Sequence, residues 1–237
     1  VEIKLKVEIL EEVDSTNEYL KRIPPNYGLA VIAKRQLSGK GRRGKRWLSP
    51  YGKGLYLSVM FPTLDPVKAP LSSLAFGVAT VKVLLSLSDR FYLKWPNDIY
   101  IEGKKVGGIL PELLPDRLII GTGINLEHTA DELFNIEQPA TSLKLEGIEF
   151  NKEELTYKLL ESYLNYYGKL ERGEFSVREF EEFCPMIGKE VTVIEETGSY
   201  CGKALGIDRN GCLIVETDSG IVRLFSGNVS VREEKKS

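Results

Sequence analysis

Between Phe91 and Leu126 the chain reads FYLKWPNDIYIEGKKVGGILPELLPDRLIIGTGINL, apolar runs of strand length broken at Pro96-Asn97-Asp98, Glu102-Gly103 and Pro115-Asp116. Runs this short, joined by turns this tight, must fold back on their neighbours, because a parallel connection needs a crossover of roughly a dozen residues or more. The sheet is therefore expected to be mixed and largely antiparallel, with further strands at 5–10, 29–34 and 55–61.

Helical signals punctuate these strands. In DSTNEYLKR, Ser15 with Glu18 three residues on spells a capping box, opening a short helix from about Thr16 to Arg22 that Pro24-Pro25 stops. Leu71, Leu74, Ala75, Val78, Val81 and Leu85 recur at helical spacing and predict the longest helix of the first half. Asn151 can cap a second block over 151–171, striped by Leu155, Leu159, Tyr163, Tyr166 and Leu170, and SVREFEEFC gives a shorter helix. Burying an apolar face is what such spacing does, so the stripes read as core. After Ile187 short strands follow one another, separated by Thr197-Gly198, Arg209-Asn210-Gly211 and Asp218-Ser219-Gly220. That pattern predicts a small closed or half-closed barrel as a separate domain, with residues 1–185 before it and 186–237 within it.

Composition narrows the function. The 32 basic and 34 acidic residues leave a net charge of -2, which argues against a surface built throughout to hold nucleic acid, so any anion site is local. Cys184, Cys201 and Cys212 form no C-x-x-C pair, favouring reduced thiols in a cytoplasmic protein over a disulfide frame or a zinc site. With one histidine, His128, read as a surface loop residue, triads and multi-histidine metal sites have little material. No stretch has the apolar length of a signal peptide core or a membrane span, so no membrane association is expected.

GKGRRGKRW, residues 39–47, matches several phosphate-loop spellings, and its context rejects them. A P-loop or a dinucleotide fingerprint needs its glycines to open a helix, whereas Trp47-Leu48-Ser49-Pro50 leads into a strand. The kinase glycine loop does lie between strands, but H-R-D and D-F-G are missing. What remains is a backbone free to approach a ligand at Gly39, Gly41 and Gly44, with Lys40, Arg42, Arg43, Lys45 and Arg46 repelling one another unless an anion sits among them. A flexible basic surface loop and a nucleic-acid patch, with Trp47 stacking on a base, are the competing readings.

The loop does not stand alone. STN at 15–17, GKGRRGKRWLSP, KWPND at 94–98, GKKVGGIL at 103–110 and GTGIN at 121–125 occur in that order, and together they resemble the biotin protein ligase family, the biotin–acetyl-CoA-carboxylase ligases. The resemblance implies a catalytic domain like the class II synthetases in fold, followed by a small barrel similar to a Src-homology-3 domain. It also implies a two-step reaction. Biotin and Mg-ATP give biotinyl-5'-AMP and pyrophosphate, and one lysine of the biotin carboxyl carrier protein of acetyl-CoA carboxylase then takes the biotinyl group and releases AMP. The first step brings two anions together, so fixed cations and donors are required.

On this resemblance Lys94 is expected between the biotin carboxylate and the α-phosphate, with Arg42 as its catalytic companion. Ser15, Thr16, Asn17 and Gln36 match the positions that hold the ureido group, with Gly39, Gly41, Arg42, Arg43, Lys105, Gly107 and Gly108 also lining the biotin site. Lys40, Arg42, Arg43 and Lys45 are expected on the adenylate, and Asn125 on the nucleotide. Asp98 or Asn97 would orient Lys94 or meet Mg. Trp47 reads equally as an aromatic beside the adenine or as core behind the loop, and Ser15 and Thr16 can cap the helix and still face the pocket. Lys40 stands where many relatives have Arg, keeping the charge without the bidentate fork. The STN motif begins at residue 15, so a form without an N-terminal helix-turn-helix domain and without specific DNA binding is expected, with pairing into a homodimer as the family often shows. A lipoate ligase is the nearest rival enzyme, and it would need a longer apolar tunnel.

Overall fold

The computed structural model describes residues 3–195, 198–225 and 230–233. Seven strands form the larger sheet: β1 (Lys6–Val13), β2 (Leu29–Gln36), β3 (Gly54–Pro62), β4 (Phe91–Lys94), β5 (Asp98–Ile101), β6 (Lys104–Leu113) and β7 (Arg117–Asn125). They lie in the order β1-β2-β3-β7-β6-β5-β4. Helix α1 (Thr16–Arg22) provides the crossover for the parallel pair β1–β2, and every other pair in this sheet is antiparallel. The mixed, largely antiparallel sheet is the one that the short runs and tight turns predict.

Helices α2 (Ala69–Leu85) and α4 (Lys152–Arg172) cover one face of the sheet. Leu55, Leu57, Val59 and Phe61 of β3 and Leu118, Ile120 and Ile124 of β7 point into that core, meeting Leu74, Val78 and Val81 of α2 and Leu159, Tyr163 and Tyr167 of α4. Because α2 is enclosed by the sheet, α4 and α5 (Val177–Glu181), it is buried nearly all round. The Asn151 side chain accepts from Glu154 N and caps α4, as its place in the sequence predicts. The opposite face is covered only in part, by α1, where Leu20 meets Leu29, Val31, Met60 and Ile119. The rest of that face carries the cavity.

Strands β8 (Glu190–Glu195), β9 (Gly198–Ile207), β10 (Leu213–Thr217), β11 (Gly220–Leu224) and β12 (Ser230–Glu233) form a second, antiparallel sheet. Its turns at 208–212 and 217–220 fall where Arg209-Asn210-Gly211 and Asp218-Ser219-Gly220 predict them, and Thr197 of the first predicted turn lies outside the described residues. The two sheets share one continuous core, and Trp95 Nε1 donates to Gly211 O at 3.0 Å across the junction.

Two local readings change. Ser15 does occupy the cap position of α1, but its side chain makes no capping bond: it lines the cavity, and the Glu18 carboxylate is engaged by Lys21 and Lys40. His128 is not a surface residue. It is 0% exposed beneath Tyr56, its backbone carbonyl accepts from Ser142 Oγ, and burial pulls its pKa below the ordinary histidine value.

Candidate functional site

Alternation along β7 builds the floor of a cavity of about 640 Å³. Ile119 points to the α1 side, so Gly121, Gly123 and Asn125 share that face, and from β6 the register adds Gly108 opposite Gly123. The glycines are there to leave room. A Cβ on Gly121 would stand 2.4 Å from Asn17 Oδ1, and one on Gly123 would stand 2.4 Å from the Trp47 indole. The Gly-x-Gly of GTGIN is thus a stretch of bare strand on which other elements lay their side chains. Positions two apart on a strand lie about 7 Å apart, so Asn17, Trp47 and Asn125 succeed one another along the floor.

At the Gly121 end stands a buried polar cluster. Thr16 N and Oγ1 both donate to Gln36 Oε1, at 2.9 and 3.1 Å, and Gln36 Nε2 donates to Ser49 Oγ. Ser58 Oγ lies 2.6 Å from Thr16 Oγ1 and 2.5 Å from Asn17 Oδ1. Asn17 Nδ2 donates to Glu112 Oε2 at 2.7 Å. Ser15, Thr16, Asn17 and Gln36 therefore come together as the sequence predicts, on the start of α1 and the end of β2. Partners fixed in advance hold each polar atom in one orientation.

The basic loop rises beside this cluster as a short hairpin. Lys40 and Arg46 bridge its arms, Gly41 N donates to Lys45 O, and the tip is one turn of 3-10 helix over Arg42–Gly44 with Arg43 at φ 56°. Gly39 is not among the residues lining the cavity: a Cβ there would meet Trp47 O at 2.6 Å and Gln36 Nε2 at 3.0 Å, so its bareness lets the loop's arms and the polar cluster pack together. Lys40, Gly41, Arg42, Arg43, Lys45 and Trp47 do line the cavity. Ion pairs hold the loop to opposite rims, among them Lys40 with Glu18 at 2.7 Å and Lys45 with Glu137 at 3.0 Å. Arg42 reaches inward and donates to Asn97 Oδ1 at 3.2 Å, and burial draws its pKa below the ordinary arginine value. Among the described residues Arg42 Nη2 and Trp47 Nε1 are buried donors with no acceptor in the protein.

The central lysine is not the expected one. Lys94 ends β4, at the outer edge of the sheet, where its Nζ lies 4.9 Å from the centre of the Tyr100 ring, and it does not line the cavity. Lys105 does: its Nζ lies 5.4 Å from the centre of the Trp47 ring and 2.7 Å from Asp98 Oδ1. A register shift in the β5–β6 pairing explains the exchange. Val106 and Gly107 both face the core, so Lys105 and Gly108, three residues apart, both face the cavity. Gly107 accordingly lies behind the wall. Asp98 pairs with Lys105 and Asn97 with Arg42, neither of them with Lys94.

Residues 9–126 match the biotin/lipoate A/B protein ligase family, and residues 186–232 match the biotin protein ligase C-terminal domain. The bifunctional ligase/repressor BirA of Escherichia coli is 34% identical over 97% of this chain and 75% of that protein. The chain belongs to the biotin/lipoate A/B protein ligase family. Within that family, the biotin–[acetyl-CoA-carboxylase] ligase of Paracoccus denitrificans is 30% identical over 90% of this chain and 95% of that protein. A biotin protein ligase of Aquifex aeolicus, solved in complex with biotin and ATP, superposes with a TM-score of 0.82 at 34% identity, covering 96% of this chain and 99% of that one.

In this member of the ligase family the sequence does not disclose the far wall. After Asn125 the chain leaves the sheet, runs through α3 (Ala130–Leu133) and returns at 139–141 beside Lys105. Glu132, Asn135, Ile136, Glu137, Gln138 and Ala140 of this arc line the cavity. The arc has no sustained helical or strand period, and its one spelled signal is the capping box of Thr129 and Glu132 that opens α3. Asn125, expected on a nucleotide, lines the cavity and donates through Nδ2 to Thr141 O at 3.0 Å, closing the base of the arc.

Proposed function

We propose that this chain is an ATP-dependent ligase that activates biotin as biotinyl-5'-AMP and transfers it to the acceptor lysine of a biotin carboxyl carrier protein. The observation that carries this reading is the order of groups along one floor: a buried polar cluster at Gly121, Lys105 and Arg42 in the middle, and Asn125 beyond. A ureido ring needs donors and acceptors at fixed points, which Ser15, Thr16, Asn17 and Gln36 supply. The valerate carboxylate then runs toward the cations, and ATP comes from the Asn125 side.

One carboxylate oxygen attacks the α-phosphorus while pyrophosphate leaves. Lys105 and Arg42 draw the two anions together and stabilise the charge on the five-coordinate phosphorus, and Arg43, Lys40 and Lys45 retain the adenylate behind the hairpin. In the second step the carrier lysine's neutral amine attacks the acyl carbon, the C–O bond to the phosphate breaks with its electrons going to AMP, and the nitrogen loses one proton to solvent as the amide forms. The unpartnered donors of Arg42 and Trp47 supply acceptor-seeking groups on the cavity wall.

Among the described residues no three His, Cys, Asp or Glu side chains gather to hold a metal, and Asp98 is engaged by Lys105. We take magnesium to arrive with the co-substrate as Mg-ATP, with Asp98 the carboxylate placed to meet it, since this ion keeps its waters and binds through phosphates and one or two carboxylates. We further take residues 1–185 as the catalytic domain and 186–237 as a small separate domain, supported by the separate match of 186–232 and by a sheet of their own. No helix among the described residues is long and apolar enough to cross a membrane. The same reading includes action in the cytoplasm without specific DNA binding, and two copies pairing through a sheet edge, for which β1 offers exposed Val7 and Ile9.

Exchange of labelled pyrophosphate into ATP tests the reaction. Biotin should support it and lipoate should not, because lipoate has no ureido group to engage the polar cluster; exchange with lipoate alone would overturn the assignment.

A further inference from the structure

One buried carboxylate outside the cavity has partners on both sides of Lys105. The side chain of Glu146 is 6% exposed; Lys104 Nζ and Thr141 Oγ1 both donate to its Oε1 at 2.5 Å, and Arg90 Nη1 lies 3.6 Å from Oε2. Burial alone would raise this carboxyl's pKa, yet Lys104, Thr141 and Arg90 hold it below the ordinary value, so the group is an anion in place.

Its partners flank a joint in the sheet. The β6–β7 ladder begins at Gly107, so at Lys105 the neighbouring strand is the returning arc: Lys105 N donates to Pro139 O at 2.8 Å, and Thr141 N donates to Lys105 O at 2.9 Å. Both backbone groups of the central lysine are therefore satisfied by a segment that also lines the cavity. Glu146 ties Lys104, just before Lys105, to Thr141, just after the bridging Ala140.

We propose that Glu146 is a positioning residue for the ligase reaction, fixing the base of the 126–141 arc and through it the backbone of Lys105. The proposal rests on the reading of Lys105 and ATP given above. It acts on the middle and far end of the cavity and leaves the ureido cluster, on α1 and β2, untouched.

The test is steady-state pyrophosphate exchange and calorimetric biotin binding without ATP, on the full chain carrying Glu146→Gln, Lys104→Met or Lys104→Arg. Glu146→Gln keeps the shape and one bond to Thr141 but loses the charge. It should lower kcat and raise KM for ATP by about tenfold together, the scale of a small misplacement of a reacting group, with biotin affinity within about twofold of wild type. Lys104→Met should follow it, and Lys104→Arg should retain nearly full activity. A Glu146→Gln or Lys104→Met enzyme that loses only thermal stability, with KM for ATP and kcat unchanged, overturns the proposal. If the wild-type chain itself shows no biotin-dependent exchange, the ligase reading fails first, which separates the two.

Discussion

The Trp47 indole occupies the space a side chain at residue 123 would fill: a Cβ on Gly123 would lie 2.4 Å from both Cε2 and Nε1 of the ring. The indole in turn lies under Lys105 Nζ, so the bare position on β7 sets the height of the central cation. Gly123→Ala should push the ring off the floor, costing roughly 1–3 kcal/mol of overpacking strain and weakening ATP-dependent turnover more than biotin binding. Denaturant unfolding beside exchange kinetics checks both halves, and an alanine enzyme with unaltered turnover would remove Trp47 from the site.

The two lysines that compete for the central role can be told apart directly. Lys105→Met should slow biotin-dependent pyrophosphate exchange by on the order of 10²–10³-fold, the usual cost of removing one fixed donor from a developing charge. Lys94→Met, at the sheet edge against Tyr100, should stay within a few fold of wild type. The reverse pattern would return the role to Lys94.

Retention of the intermediate rests on Arg42 and its anchor. Arg42→Gly, and to a smaller degree Asn97→Ala, should let biotinyl-5'-AMP escape, seen as increased labelling of lysines on bystander proteins. Labelling no higher than wild type would deny the hairpin a part in holding the adenylate.

A pH measurement follows from His128, the single histidine of the chain. Burial lowers its folded-state pKa, so as pH falls past the ordinary value near 6.5 the unfolded chain takes up a proton that the folded chain refuses. Stability should therefore drop as pH falls through that value toward the lower folded one, with no contribution from His128 above both. The Hε1 resonance of this single imidazole should titrate below its ordinary midpoint in proton NMR, and His128→Gln should flatten the pH dependence of the unfolding midpoint between about pH 7 and 5. A normal titration midpoint would place the ring in water.

Much of this was legible in the chain. Turn spacing and apolar period predicted the order of strands and helices, whereas Ser15, Thr16, Asn17 and Gln36 were expected together only through the family resemblance, since nothing in spacing or period joins residue 36 to residues 15–17. The resemblance placed Lys105 on the wall of the biotin site but gave the place between the two anions to Lys94, and the register shift near Val106 that turns Lys105 inward beside Gly108 is not spelled in the sequence. Gly121 and Gly123 were visible as letters, but the side chains they make room for come from about 75 to 105 residues away in the sequence. The arc from 126 to 138 carries no period at all, and the burial of His128 comes from that same irregular segment, where composition says nothing about depth.

The strands on which Asn17 and Trp47 rest contribute no rotamers of their own at Gly108, Gly121 and Gly123. Their amides and carbonyls are set by the ladders that join β6, β7 and β3, and these same ladders rest on the principal core. The depth of the cavity is therefore a property of the sheet, as rigid as the fold itself. Any adjustment to a ligand of different length or bulk has to be made by the walls, the hairpin over 40–46 on one side and the arc over 132–140 on the other, so discrimination among acids of similar shape is decided there while the floor serves as a fixed gauge.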